Sequence, residues 1–156
     1  MKNILRDLIT VAVIGSACAS IHVAAADPDP CALVSVADAT KTLGAPVRHA
    51  RPRVVGTSFS CSYRSASFSS LVVTIEPFSS PAEATSTFHD TVTSPMTQMS
   101  PSLALPGIGD EAHRLGPMIY VRKKSTIYAF SIVGRDANGA GADRVVALAK
   151  STVSRL

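Results

Sequence analysis

The side chains best equipped for chemistry in this sequence are Cys31 and Cys61, the pair His89-Asp90, and the run Asp110-Glu111-Ala112-His113. His89-Asp90 has the spacing of a metal-dependent phosphohydrolase dyad. That chemistry takes further His and Asp ligands, which the chain does not supply, so the pair reads as a solvated helix face. Glu111 and His113 are two apart, on one side of an expected strand, with Asp110 adjacent. Two or three oxygen and nitrogen donors of this kind are metal-ligand types, but no remote partner completes the set. Gly107-Ile108-Gly109 lacks the third glycine and the Lys-Ser/Thr that a phosphate loop uses, and reads as a tight turn. Serines are many, yet no G-x-S-x-G or S-x-x-K spacing sets one beside a base. No catalytic residue, metal site or cofactor is assigned, and the chain is read as a non-enzyme.

What the cysteines do depends on compartment, and the N-terminus addresses that. Lys2 and Arg6 precede an apolar stretch from Leu8 to Ala19, and Ala24-Ala25-Ala26 offers the small residues of a cleavage site. Residues 1–26 therefore read as a signal peptide and 27–156 as one exported domain, periplasmic or secreted. The apolar stretch is short of the ~18–20 residues that span a bilayer, so no transmembrane span is expected after cleavage. Ser16-Ala17-Cys18 keeps a second route open, in which the protein is lipid-anchored through Cys18, although Gly15 stands where a lipoprotein signal has a large aliphatic residue. Cleavage after Ala26 leaves two cysteines, Cys31 and Cys61, in an oxidising compartment, the setting for a disulfide. Metal ligation or a reactive thiol would want a C-x-x-C spacing or a companion histidine pattern, and neither is present.

The expected mature segment carries 13 Lys and Arg against 10 Asp and Glu, a net charge of +3. That suits an acidic partner but is no nucleic-acid signature. Tryptophan is absent and aromatics make up 5%, which argues against a stacking platform for bases or sugars. Basic residues cluster at Arg48, His49, Arg51 and Arg53, and again at Arg122, Lys123 and Lys124. Such charges guard strand edges and turns against pairing, and would attract an acidic surface were the clusters to converge.

The elements that must position these residues follow from punctuation and periodicity. Ser35 caps a helix that ends at Gly44, and Pro46 blocks its resumption. Strands are expected at 47–54, an edge strand because of Pro52, at 58–64 with strict alternation, and at 71–77. Ser80-Pro81-Ala82-Glu83 opens a helix to about Val92, with Glu83 expected to reach back to the amide of Ser80. Residues 93–106, with three prolines, read as a long irregular connection. A hairpin of 118–122 and 126–133 precedes a last helix over about 142–154. The class is α+β: an antiparallel sheet of five or six strands packed with three helices, one disulfide, and a faint β-β-β-α duplication.

Asp29-Pro30-Cys31-Ala32-Leu33, the helix end Leu43-Gly44, Ser60-Cys61-Ser62-Tyr63 and Leu105-Pro106-Gly107-Ile108-Gly109-Asp110-Glu111-Ala112 occur in that order. Together they resemble a broad group of bacterial secreted and lipoprotein domains of unassigned function, which share a D-P-C…C-x-Y cysteine pair and a P-G-L/I-G-D-E-A turn. The resemblance implies an envelope or extracellular α+β module that binds rather than catalyses. It carries over no functional residue, because the shared positions are staples and turns. The expected function is a non-catalytic binding module, inhibitor- or immunity-like, for an envelope or extracellular protein; the alternative is a structural or membrane-associated envelope lipoprotein. The expected contact surface is the adaptable apolar set Met96, Met99, Leu103 and Leu105 with the basic hairpin tip Arg122, Lys123 and Lys124. Its rival is a segment that folds back so that these Met and Leu side chains complete the core.

Overall fold

Three two-residue turns organise most of the sheet. They join Val55 to Ser58 through Gly56-Thr57, Leu115 to Met118 through Gly116-Pro117, and Lys123 to Thr126 through Lys124-Ser125. Gly56, Gly116 and Lys124 all have positive φ, which lets a turn this short match the strand twist. The computed structural model describes residues 28–94, 101–134, 137 and 139–156. In chain order the elements are α1 (Pro30–Leu33), α2 (Val36–Leu43), β1 (Val47–Val55), β2 (Ser58–Ser65), β3 (Ser70–Pro77), α3 (Pro81–Thr93), β4 (Ser102–Ala104), β5 (Glu111–Leu115), β6 (Met118–Lys123), β7 (Thr126–Val133) and α4 (Ala140–Val153).

The strands form one antiparallel sheet in the order β1-β2-β3-β7-β6-β5-β4. The α+β class and its disulfide are as expected, but the described residues hold seven strands and four helices, not five or six and three. The additions are the single turn α1 and the strand β4, while β5 is the strand expected around Glu111 and His113. Strands β4 and β5 form because β6 would otherwise leave a row of backbone groups unpaired. Each run of strands is followed by a helix, the three of β1–β3 by α3 and the four of β4–β7 by α4. Both helices nevertheless pack on β6 and β7, so they do not occupy equivalent positions in a duplicated unit.

One face of the sheet carries the main core. Cross-strand rows Tyr63–Leu71–Ile132 and Cys61–Val73–Phe130–Ile119 are buried there against Val34, Ala39 and Leu43 from the α1–α2 segment and Val145, Leu148, Ala149 and Val153 from α4. The Cys31–Cys61 disulfide ties α1 to β2 beneath this layer. Ser35 caps α2 and Gly44 ends it at φ 67, as expected. On the opposite face a smaller cluster, Phe88 and Val92 of α3 with Leu115 and Ile127, covers only the β5–β6–β7 side. At the start of α3, Ser80 caps Glu83 as expected, but the Glu83 carboxylate reaches Ser79 N and Oγ, one residue before the cap. No helix among the described residues is long and apolar enough to cross a membrane.

Tyr63 is the largest fully buried side chain, and its phenol donates to Val34 O at 2.5 Å, with Cys31 O 3.3 Å away. Burial, aided by the charges of Asp29 and Asp38, pushes its pKa up from 10.0 to about 12. A folded pKa raised above the unfolded one means the stabilisation is complete below pH 10.0 and is lost as pH rises towards about 12. The loss should be about 2–3 kcal/mol at ~1.4 kcal/mol per pH unit. Tyr63→Phe should start about 1–2 kcal/mol less stable at neutral pH through the lost hydrogen bond, and then lack that alkaline decline. Urea midpoints of the two proteins across this pH range check it; parallel curves would refute it. Tyr120 and Tyr128, also raised mainly by burial, are common to both proteins and cancel.

Candidate functional site

The packing of α3 over β5 assembles a polar cluster that neither element contains alone. His89 follows the buried Phe88 on α3, and its Nε2 lies 3.1 and 3.2 Å from the two carboxylate oxygens of Glu111 on β5. His113, on the same side of β5, brings its Nε2 to 3.6 Å from Glu111 Oε1. Its Nδ1 shares a 2.7 Å hydrogen bond with Ser102 Oγ of β4, and its ring meets Phe88 edge-on at 5.8 Å. From β6, Arg122 Nε sits buried with no hydrogen-bond partner among the described residues, 3.8 Å from Glu111 Oε2. One carboxylate thus has two imidazoles and a guanidinium around it.

The arrangement holds α3 to the sheet better than it would do chemistry. Ser102, His113 and Glu111 are the residue types of a hydrolytic triad, but Ser102 stands exposed on a three-residue edge strand where water is not excluded. The His113–Glu111 separation of 3.6 Å is too long for an orienting hydrogen bond, and the Glu111 oxygens already face His89. For a cation, the neighbouring Arg122 adds a repulsive charge. No group of three or more His, Cys, Asp or Glu among the described residues is placed to hold a metal ion. Asp110 does not join the cluster. Its Oδ2 accepts from Arg122 Nη1 at 3.2 Å and from Lys124 N at 2.7 Å, clamping the β6–β7 turn. The glycine turn before it brings the backbone close enough for that clamp. Gly109, at φ 62, sits where a Cβ would lie 2.6 Å from Arg122 O and Val121 Cγ1.

The expected contact surface is distributed as follows. Met96 and Met99 lie outside the described residues. Leu103 is 59% exposed on β4, whereas Leu105 is half-buried against the main core with its N–H on Ala112 O. Arg122 pairs with Asp110, and Lys123 Nζ donates to Val153 O at 2.8 Å, satisfying a carbonyl in the last turn of α4. Lys124 is exposed. The β1 cluster lies four strand spacings from β6, about 19 Å, so the two basic groups stay apart. His49's side chain is outside the described parts, and Arg48, Arg51 and Arg53 are exposed.

Among the described residues α3 covers only one side of its face and nothing covers the β1–β3 side. The register lines up Arg51 with Ser62 and Val72, Arg53 with Ser60 and Thr74, and Arg64 with Ser70 on that face. Arg51, Arg53, Ser62 and Arg64, with Pro52, line a depression of about 430 Å³. Among the described residues, none of these three arginines makes an ion pair or a side-chain hydrogen bond. Arg51 and Arg53 stand out in the sequence as part of a basic cluster, whereas Arg64 comes beside them only through the β1–β2 register. Phe68, 96% exposed in the β2–β3 turn, is a further surface residue, marked in the sequence as an aromatic among Ala66, Ser67 and Ser69. No family model matches the chain, and no curated protein matches it at a significant level.

Proposed function

We propose that the mature domain is an exported, non-catalytic binding module of the cell envelope or exterior, and that an acidic protein docks on the open β1–β3 face. The observation that carries this is the row of Arg51, Arg53 and Arg64, three like charges gathered on one face around a depression that no described carboxylate lines. Side chains so placed repel one another in the free protein, and an anionic partner relieves that repulsion. Arginine forks pair with carboxylates in two-point contacts, and Ser58, Ser60 and Ser62 add small donors and acceptors between them. An inhibitor- or immunity-like role fits this geometry, since a flat basic face can occlude an acidic patch. The resemblance to secreted and lipoprotein domains supports the same setting.

Poly-glutamate serves as a model of the acidic surface. Replacing Arg51 and Arg53 together by serine should weaken binding to it about tenfold, given up to ~1 kcal/mol for each exposed pair. Binding by the native protein should fall as salt rises. Lys124→Ser, on the far hairpin, should change little. Equal affinity of the native and double-variant proteins, measured by titration calorimetry at low salt, would remove this face as the contact surface.

A further inference from the structure

We infer that the β2–β3 turn is a membrane-interface anchor that sets Phe68 into the headgroup region of an anionic bilayer. Phe68 is 96% exposed and has φ 63, a backbone conformation that bulky residues rarely take. The turn beneath it is rigidly built. Ser65 N and Oγ both donate to Ser69 O, at 2.9 and 3.0 Å, and Ser65 Oγ shares a 2.9 Å bond with Ser67 Oγ. Gly134 backs the turn so closely that a Cβ there would lie 2.9 Å from Ser69 Cα and 3.0 Å from Phe68 O. The fold thus holds an aromatic ring outward in a strained turn whose own backbone is secured.

The surroundings match the depth profile of a bilayer surface. Val133, 56% exposed, pairs with Ser70 at this end, and Ala66 is exposed beside Phe68. Arg64 leads into the turn, and Ala66 N bonds Pro46 O, which brings the exposed Arg48 alongside. Apolar groups therefore form the tip and arginines a collar behind it, and Asp143 at the start of α4, the exposed carboxylate described near this end, is paired with Arg114. Guanidinium groups at that height meet lipid phosphates while the ring enters the acyl boundary. The tip is convex and carries a single ring, so the contact is weak and reversible; a lipid chain on Cys18 would supply the second signal that stable anchoring takes.

The inference does not rest on the acidic-partner reading, and its test leaves Arg51 and Arg53 in place. The chain has no tryptophan, so Phe68→Trp introduces one indole. Vesicles of three parts phosphatidylcholine to one part phosphatidylglycerol, at low ionic strength, should shift its emission to the blue. Leu103→Trp, exposed at the other edge of the sheet, should stay solvent-like. Phe68→Ser should lower vesicle partitioning by an order of magnitude, and Arg48→Ser by about fivefold, the equivalent of ~1 kcal/mol per basic residue near an anionic surface. Both variants should keep the native melting temperature, since neither side chain is buried, and Phe68→Ser should also keep the native poly-glutamate affinity, since Phe68 carries no charge and lies outside the row of Arg51, Arg53 and Arg64. An unshifted Phe68→Trp spectrum at millimolar lipid, an equal shift from Leu103→Trp, or unchanged partitioning of Phe68→Ser would each overturn the assignment. A shift caused by an acidic protein but not by vesicles would overturn it in favour of a protein pocket.

Discussion

Replacing Cys31 and Cys61 together by serine should lower the stability of the protein by about 3–4 kcal/mol, as closure of a loop of this length implies. The bridge spans 30 residues and joins α1 to a central part of β2. Helix α1 is a single turn of four residues, too short to persist by itself, and Asp29 caps it through Cys31 N. Beyond the bridge, the Tyr63 phenol is the main polar tie between this segment and the sheet. Without the cross-link the unfolded chain gains freedom, and α1 has little to keep it over Cys61 and Tyr63. Equilibrium urea unfolding of native and double-serine proteins measures the difference. Thiol titration of the denatured, unreduced protein after removal of residues 1–26 should find no free thiol. An unchanged midpoint, or two reactive thiols, would show that the bridge is not part of the native protein.

Phe88→Ala should be comparably damaging, at about 3–5 kcal/mol for a fully buried aromatic. Among the described residues the cluster that docks α3 has Phe88, Val92, Leu115 and Ile127 as buried members, with Phe78 and Tyr120 packed at its margin. Phe88 also meets the His113 ring, so its removal loosens the polar cluster as well. By contrast His89→Ala deletes a part-exposed hydrogen-bonded contact to Glu111 and should cost about 1 kcal/mol. Denaturant unfolding ranks the two. Amide exchange should show α3 losing protection in Phe88→Ala while β2, β3 and α4 keep theirs. A loss below that of His89→Ala would mean that polar contacts, not the apolar cluster, hold the helix.

Features governed by neighbours within a few residues were legible in the sequence. Ser35 and Gly44 bound α2 because a cap hydrogen bond and a left-handed residue are local requirements. The alternation of Phe59, Cys61 and Tyr63 against serines told which side of β2 is buried, since successive side chains point to opposite faces. Pro52 marked β1 as an edge, though the strand runs to nine residues because an outer edge tolerates a missing donor. The segment 102–104 gave no such sign, and 111–115 gave only the paired spacing of Glu111 and His113. Their strand form is imposed by the free hydrogen-bonding edge of β6, a condition written elsewhere in the chain.

The same division runs through the candidate sites. Cysteine count and the N-terminal segment were enough to pair Cys31 with Cys61, because two thiols left in an oxidising compartment have one intramolecular choice. His89 and Glu111 are 22 residues apart, and nothing in their spacing joins them. They meet because Phe88 and Val92 draw α3 onto Leu115 and Ile127, the face opposite α2 and α4. That placement leaves the arginines of β1 and β2 uncovered and the tip of the β2–β3 turn in solvent. Caps, turns and strand periods are set by sterics and hydrogen bonds over a few residues, and so are written locally. Which face a helix covers, and hence which side chains remain free to meet a partner, depends on apolar area summed over the whole sheet, which only the assembled tertiary structure decides.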